Sequence, residues 1–125
     1  MNTQLHNFIG IEQLTTLEMN IQGEEKSYFE KLVEELENTF ETMPKNYEQE
    51  GKGEDAIVYL HYFIGDFDWY ITERDMEPEQ LQAFGLACMY CEELGFVSIV
   101  DIIKNGGELD FNWTPQTLAE VRNSR

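Results

Sequence analysis

The chain has 125 residues, of which 25 are acidic and 8 basic, for a formal net charge of −17. Phosphate backbones and anionic membranes are held by clustered Lys and Arg, so this balance excludes direct nucleic-acid binding and attachment to an anionic membrane through a basic surface. An apolar fraction of 42% and an aromatic fraction of 13% exclude a disordered acidic tail and predict one domain, 1–125, around one core.

No apolar run reaches the roughly 18 residues of a membrane span. Met1-Asn2-Thr3-Gln4 opens the chain without a charged stretch leading into an apolar one, so no secretory leader is expected. Residues 1–23 are weakly patterned: Phe8, Ile9, Ile11, Leu14 and Leu17 fit a short helix, and a strand near Leu17–Ile21 fits as well. From 24 to 43 the signal is a helix. Phe29, Leu32, Val33, Leu36, Phe40 and Met43 form one apolar stripe, and Pro44 stops it. Lys45 to Asp55 is polar, contains Gly51 and Gly53, and reads as an exposed loop.

Ile57 to Ile64 and Phe67 to Glu73 are β-branched and aromatic runs divided by Gly65-Asp66, which predicts a β-hairpin with glycine at the turn. Val58, Leu60, Tyr62 and Ile64 share one face and Ile57, Tyr59, His61 and Phe63 the other, so both faces call for cover. A third strand is expected within Leu81–Tyr90 and a short one at Phe96-Val97. Ser98 has the character of an N-cap with Asp101 at N3, opening a helix with Ile99, Ile102 and Ile103 buried; Asn105-Gly106-Gly107 ends it. Leu109 to Trp113 reads as a strand with Leu109, Phe111 and Trp113 on one face. Thr114-Pro115 reads as the start of a last helix anchored by Leu118 and Val121, ending in a loose basic tail at Arg122 and Arg125. The fold class is α+β: an antiparallel sheet of about four strands against one long acidic helix, with two short helices near the C-terminus.

Cys88-x-x-Cys91 has the spacing of half a zinc site or a redox pair. A structural zinc needs four ligands, and the only further soft donors are His6 and His61. On a strand the two thiols also point to opposite faces, so structural cysteines in a reducing cytoplasm are expected, with no metal and no cofactor. His61 with Glu73 or Asp68 forms a possible acid/base pair across the hairpin. Together with Trp69 and Cys88 it outlines an alternative catalytic or ligand pocket. No nucleophile motif or phosphate cradle accompanies it, and a hydrogen-bonded strand histidine explains the same residues. Trp69 and Tyr70 suit either an interface or packing.

Charge is unevenly placed. From Glu24 to Glu79 there are 17 acids and 5 bases. Glu30, Glu34, Glu37 and Glu41 flank the apolar stripe at axial separations of about 4.5–6 Å, near the spacing of charges along a nucleic-acid strand. Asp66 and Asp68 extend the field at the hairpin. A solvated helix face shows much of this pattern too. However, like charges at i,i+4 cost a few tenths of a kcal/mol each (~0.2–0.5), which points to a use for the field. The expected function is a non-enzymatic interaction protein that presents a polyanion-like face, with Trp69 and Tyr70 as apolar anchors, to a basic protein. It would act as a monomer or homodimer.

Tyr59-Leu60-His61-Tyr62-Phe63, Asp68-Trp69-Tyr70-Ile71-Thr72-Glu73, Ala83-Phe84-Gly85, Glu93-Leu94-Gly95-Phe96-Val97-Ser98, Leu109-Asp110-Phe111 and Thr117-Leu118-Ala119-Glu120 together carry a likeness. Over roughly 56–122 the chain resembles an uncharacterised family of small "plasmid-related" proteins found on bacterial plasmids, conjugative elements and phages. The helix at 24–43 is less typical, and Asn105-Gly106-Gly107-Glu108 stands where many members carry a long loop. That family has no established activity, so no site residue is carried over. The resemblance implies a cytoplasmic accessory protein of a mobile element, a basic host or element-encoded partner, and dealings with host defence or DNA transfer.

Overall fold

In the computed structural model, which describes residues 4–125, the N-terminal third is helical. Residues 1–3, which carry part of the leader expectation, lie outside the described residues. α1 (Leu5–Phe8) and α2 (Ile11–Ile21) decide the choice between helix and a strand near Leu17–Ile21 for helix. α3 (Lys26–Thr42) buries Val33, Leu36 and Phe40, with Phe29 and Leu32 packed beside them. Met43 then turns to extended backbone, as the residue before a proline is sterically driven to do. Phe8 and Phe40 stack at 4.2 Å between ring centroids, locking α1 to α3. Such a pair adds about 0.5–1.5 kcal/mol beyond the area it buries.

β1 (Ile57–Val58) and β2 (Leu60–Ile64) are split at Tyr59, whose N–H donates to the Ile71 carbonyl although Leu60 is the Cα partner of Ile71. The two-against-one offset turns Val58 into a different apolar cluster from Leu60 and Tyr62. β3 (Phe67–Glu73) completes the hairpin around Gly65, which adopts φ +56°. β4 (Ala83–Cys88) and β5 (Glu92–Val97) continue the meander. After α4 (Ile99–Lys104), β6 (Glu108–Leu109) pairs with β2. The sheet is antiparallel with five strands in the order β5-β4-β3-β2-β6, one more than expected. β7 (Gln116–Thr117) pairs with β1 as a separate ribbon and leads into α5 (Leu118–Ser124).

Both sheet faces are covered, at least in part. Leu60, Tyr62, Ile71 and Ala83 meet α1 to α4 on one side. Tyr70, Leu86 and Cys88 meet Leu118, Val121 and Trp113 on the other. Gly85 belongs to the first row, and a Cβ there would lie 2.1 Å from the Tyr70 carbonyl oxygen, so only glycine permits this strand spacing beside the register shift at 71–73.

Four expectations need correction. β5 is six residues long, because Glu92 and Glu93 occupy a sheet edge where their charges stay hydrated. The strand expected over Leu109–Trp113 stops at Leu109. Asp110 turns the chain by accepting the Asn112 N–H at 2.9 Å, and it separates Phe111, on the first cluster, from Trp113, on the second. The last helix is capped by Thr117, not Thr114. Only Thr117 has a Glu at N3, and the two exchange hydrogen bonds: Thr117 Oγ1 accepts the Glu120 N–H at 3.1 Å, and Glu120 Oε1 accepts the Thr117 N–H at 3.0 Å. The loop at 45–55 is not simply exposed, since Asn46 and Gln49 are buried within it. Ser98 caps α4 as expected, accepting the Asp101 N–H at 3.2 Å. Among the described residues no helix is long and apolar enough to cross a membrane.

Candidate functional site

The hairpin brings His61 into a polar cluster on the second sheet face. Its Nε2 lies 2.7 Å from Asp68 Oδ1 and its Nδ1 lies 3.1 Å from Asp110 Oδ2. The ring stacks on Tyr70 at 4.7 Å with a 7° interplanar angle and leans on Trp113 at 5.2 Å. Ionised carboxylates only accept, so both contacts are hydrogen bonds when each ring nitrogen carries a proton. With both nitrogens engaged, this histidine presents no free lone pair to a substrate.

The supposed basic tail closes the cluster instead of hanging loose. Arg125 donates to the second Asp68 oxygen at 3.2 Å and to the Tyr70 hydroxyl at 3.0 Å. Its guanidinium sits 5.7 Å over the Tyr70 ring. Arg122 reaches Glu54 at 2.8 Å and Glu92 at 2.6 Å. Burial pushes the Tyr70 phenol up, against the pull of the Arg125 hydrogen bond. Cys88 lies buried beneath this cluster, and burial pushes its thiol up as well. Cys91 is exposed in the β4–β5 turn, where the hydrogen bond to Glu93 and then its charge raise the thiol. Among the described residues no group of three or more His, Cys, Asp or Glu side chains is arranged so that it could hold a metal ion.

The residues of the alternative pocket do not converge. Trp69 is half-buried against the first face, on the far side of the sheet from His61. Glu73 is buried and serves the 45–55 loop: its two oxygens accept the backbone N–H groups of Tyr47 at 2.9 Å and Gln49 at 2.6 Å. Gln49 in turn donates to the carbonyls of Ile57 and Thr72 and accepts the Ile57 N–H. These bonds hold Tyr47 at φ +76°, a left-handed conformation that costs an L-residue about 1–2 kcal/mol.

The interaction residues also divide. Glu30, Glu34 and Glu41 are exposed on α3 and Glu37 is half-buried there. Asp66 is exposed in the hairpin turn, whereas Asp68 and Tyr70 are committed to His61 and Arg125 across the sheet. They cannot join the α3 stripe in one surface. Among the described residues, Glu30, Glu34, Glu35 and Glu41 take part in no ion pair.

One feature was missed in the sequence. The pinned loop, β5 and the start of α5 enclose an apolar pocket of about 340 Å³ on the second face, walled by Tyr47, Phe84, Leu94 and Phe96. The signal was there in Glu93-Leu94-Gly95-Phe96, which alternates like a strand with one apolar face. Comparison of the chain with family models, with curated proteins and with solved structures finds no match to any of them.

Proposed function

We propose that this chain is a non-enzymatic interaction protein whose acidic α3 face engages a basic surface on a partner protein, in place of a polyanion. The observation that carries this reading is that, among the described residues, the exposed Glu30, Glu34, Glu35 and Glu41 of α3 take part in no ion pair, while Arg122 and Arg125 are engaged on the opposite side of the sheet. Lys26 and Lys31 are the only bases on α3. Such a field steers a basic partner and raises its association rate, and it weakens with ionic strength as the Debye length falls. The resemblance to plasmid-related proteins supports placing the chain in a bacterial cytoplasm, as an accessory of a mobile element with a DNA-binding or nuclease partner.

The test is capture of host proteins at low salt followed by salt elution, with the fourfold variant Glu30→Gln, Glu34→Gln, Glu37→Gln and Glu41→Gln beside the native chain. The native chain should release a basic partner as salt rises from about 50 to about 200 mM, a range over which the Debye length shortens markedly. The variant should fold normally and capture nothing. Undiminished capture by the folded variant overturns the reading.

A further inference from the structure

We propose that the open edge of β5 and the apolar pocket beside it form a docking site for an extended segment of a basic partner protein, added to the sheet as a further strand. This surface lies across the sheet from α3, so the inference stands apart from the acidic-helix reading.

Three observations lead to it. First, β5 pairs with β4 on one side only, so its outer row of backbone groups is open to another strand. Edges of this kind are recognised by main-chain hydrogen bonding, with side-chain pockets giving specificity. Second, the edge is apolar on one face. Leu94 and Phe96 are 46% and 53% exposed, and Tyr47, 61% exposed, meets Phe96 edge-on at 6.3 Å. These residues line the pocket together with Thr72, Phe84 and Leu118. Third, the wall carrying Tyr47 is maintained in a strained conformation by the buried Glu73 and Gln49 contacts, and strain held in this way clusters at ligand clamps.

Charge selects the occupant. Glu50 and Glu73 line the pocket, with no Lys or Arg among the lining residues. Glu93 stands on the other side of β5, exposed at the edge and facing where an incoming strand would place its alternate side chains. A matching segment alternates large apolar residues, which enter beside Leu94 and Phe96, with a Lys or Arg opposite Glu93. A second copy of this chain fits less well, because each copy brings a net charge of −17 to the contact.

The probe is a short fluorescent peptide alternating Val or Phe with Lys. Two controls accompany it: the same composition with the apolar and Lys residues segregated into two blocks, and an alternating peptide with Glu in place of Lys. The alternating Lys peptide should bind about tenfold more tightly than the segregated one and slow hydrogen exchange along β5. Leu94→Asp and Phe96→Asp should abolish binding, whereas Glu18→Gln, on the exposed side of α2, should leave it unchanged. Glu93→Lys touches no core group and keeps the test decisive if the other variants misfold: it should weaken the Lys peptide and admit the Glu peptide. Equal binding of the segregated peptide, or indifference to Phe96→Asp or Glu93→Lys in folded protein, overturns the proposal. So does concentration-dependent self-association that Phe96→Asp abolishes, which would give the edge to a second copy.

Discussion

Asp68 joins the hairpin to the C-terminus: one carboxylate oxygen lies 2.7 Å from His61 Nε2 and the other accepts from Arg125 at 3.2 Å. His61 is mostly shielded, so its link is stronger than an open surface pair, whereas the more exposed Arg125 adds less. Asp68→Ala should lower unfolding stability by about 1.5–3 kcal/mol in urea denaturation, the usual loss for hydrogen bonds to charged groups. A double-mutant cycle with Arg125→Ala should show positive coupling; additive losses would mean that the C-terminus is not held by Asp68.

Gly85 and Gly95 are direct partners in the β4–β5 ladder, yet they should respond oppositely to alanine. The new Cβ at residue 85 would strike the Tyr70 carbonyl at 2.1 Å and the Ile71 Cα at 2.9 Å, and Gly85→Ala should cost more than about 3 kcal/mol or prevent folding. At residue 95 nothing lies within 4 Å, and its φ is ordinary. Gly95→Ala should stabilise by about 0.4–1 kcal/mol by restricting the unfolded chain, measurable as a raised Tm.

Glu73 supports the 45–55 loop from beneath through two backbone N–H groups. Glu73→Gln keeps the volume but removes the charge and one acceptor oxygen, and should cost about 1–3 kcal/mol. Hydrogen exchange at Tyr47 and Gln49 should accelerate, and limited proteolysis should begin within this loop. A variant with unchanged exchange at both amides would show the loop to be held by other means.

The two cysteines should react on different timescales. Cys91 is exposed and should take a thiol reagent in the native state, with a rate that rises with pH as the thiolate forms and with that rise displaced to higher pH because the Glu93 hydrogen bond and charge raise its thiol. Cys88 is buried and should react only when the second face opens. Thiol counting under native and denaturing conditions should therefore give one and two groups per chain.

Tyr62 is fully buried, with its hydroxyl donating to the Phe8 carbonyl at 2.6 Å, and burial pushes its phenol well above the usual value. The unfolded chain ionises at about pH 10 while the folded one resists. Stability from this group is therefore fully present below about pH 10 and is lost as pH rises toward the folded value. Tyr62→Phe should flatten alkaline unfolding and, at neutral pH, cost about 1 kcal/mol for the lost hydrogen bond.

Strong local periodicity was readable. The stripe from Phe29 to Met43 gave α3, and the aromatic runs around Gly65 gave the hairpin, because each element buries one face at its own period. Features decided by distant partners were not. Nothing local shows that Glu73 accepts from Tyr47 and Gln49, or that Arg125 folds back onto Asp68 and Tyr70, because those contacts require the finished sheet. Strand spacing left Glu73 and Asp68 both open as partners of His61; the register that sets His61 opposite Tyr70 selects Asp68, and Asp110 as the second carboxylate needed the turn that follows β6. Tyr70 looked like an anchor for a partner because a sequence does not say that α5 covers it.

The ribbon of β1 and β7 ties Ile57 to Thr117, and the Leu118 N–H reaches the Ala56 carbonyl at 2.9 Å. By contrast, β2 to β5 pair each with a sequence neighbour, so their loops close early and at little entropic cost. The meander and the N-terminal helices can therefore assemble before β7 and α5 dock. Tyr70, Leu86 and Cys88 stay uncovered until Leu118 and Val121 arrive. The interval before α5 docks is when the folding chain is most exposed to aggregation, and the high negative charge it already carries keeps neighbouring chains apart during that delay.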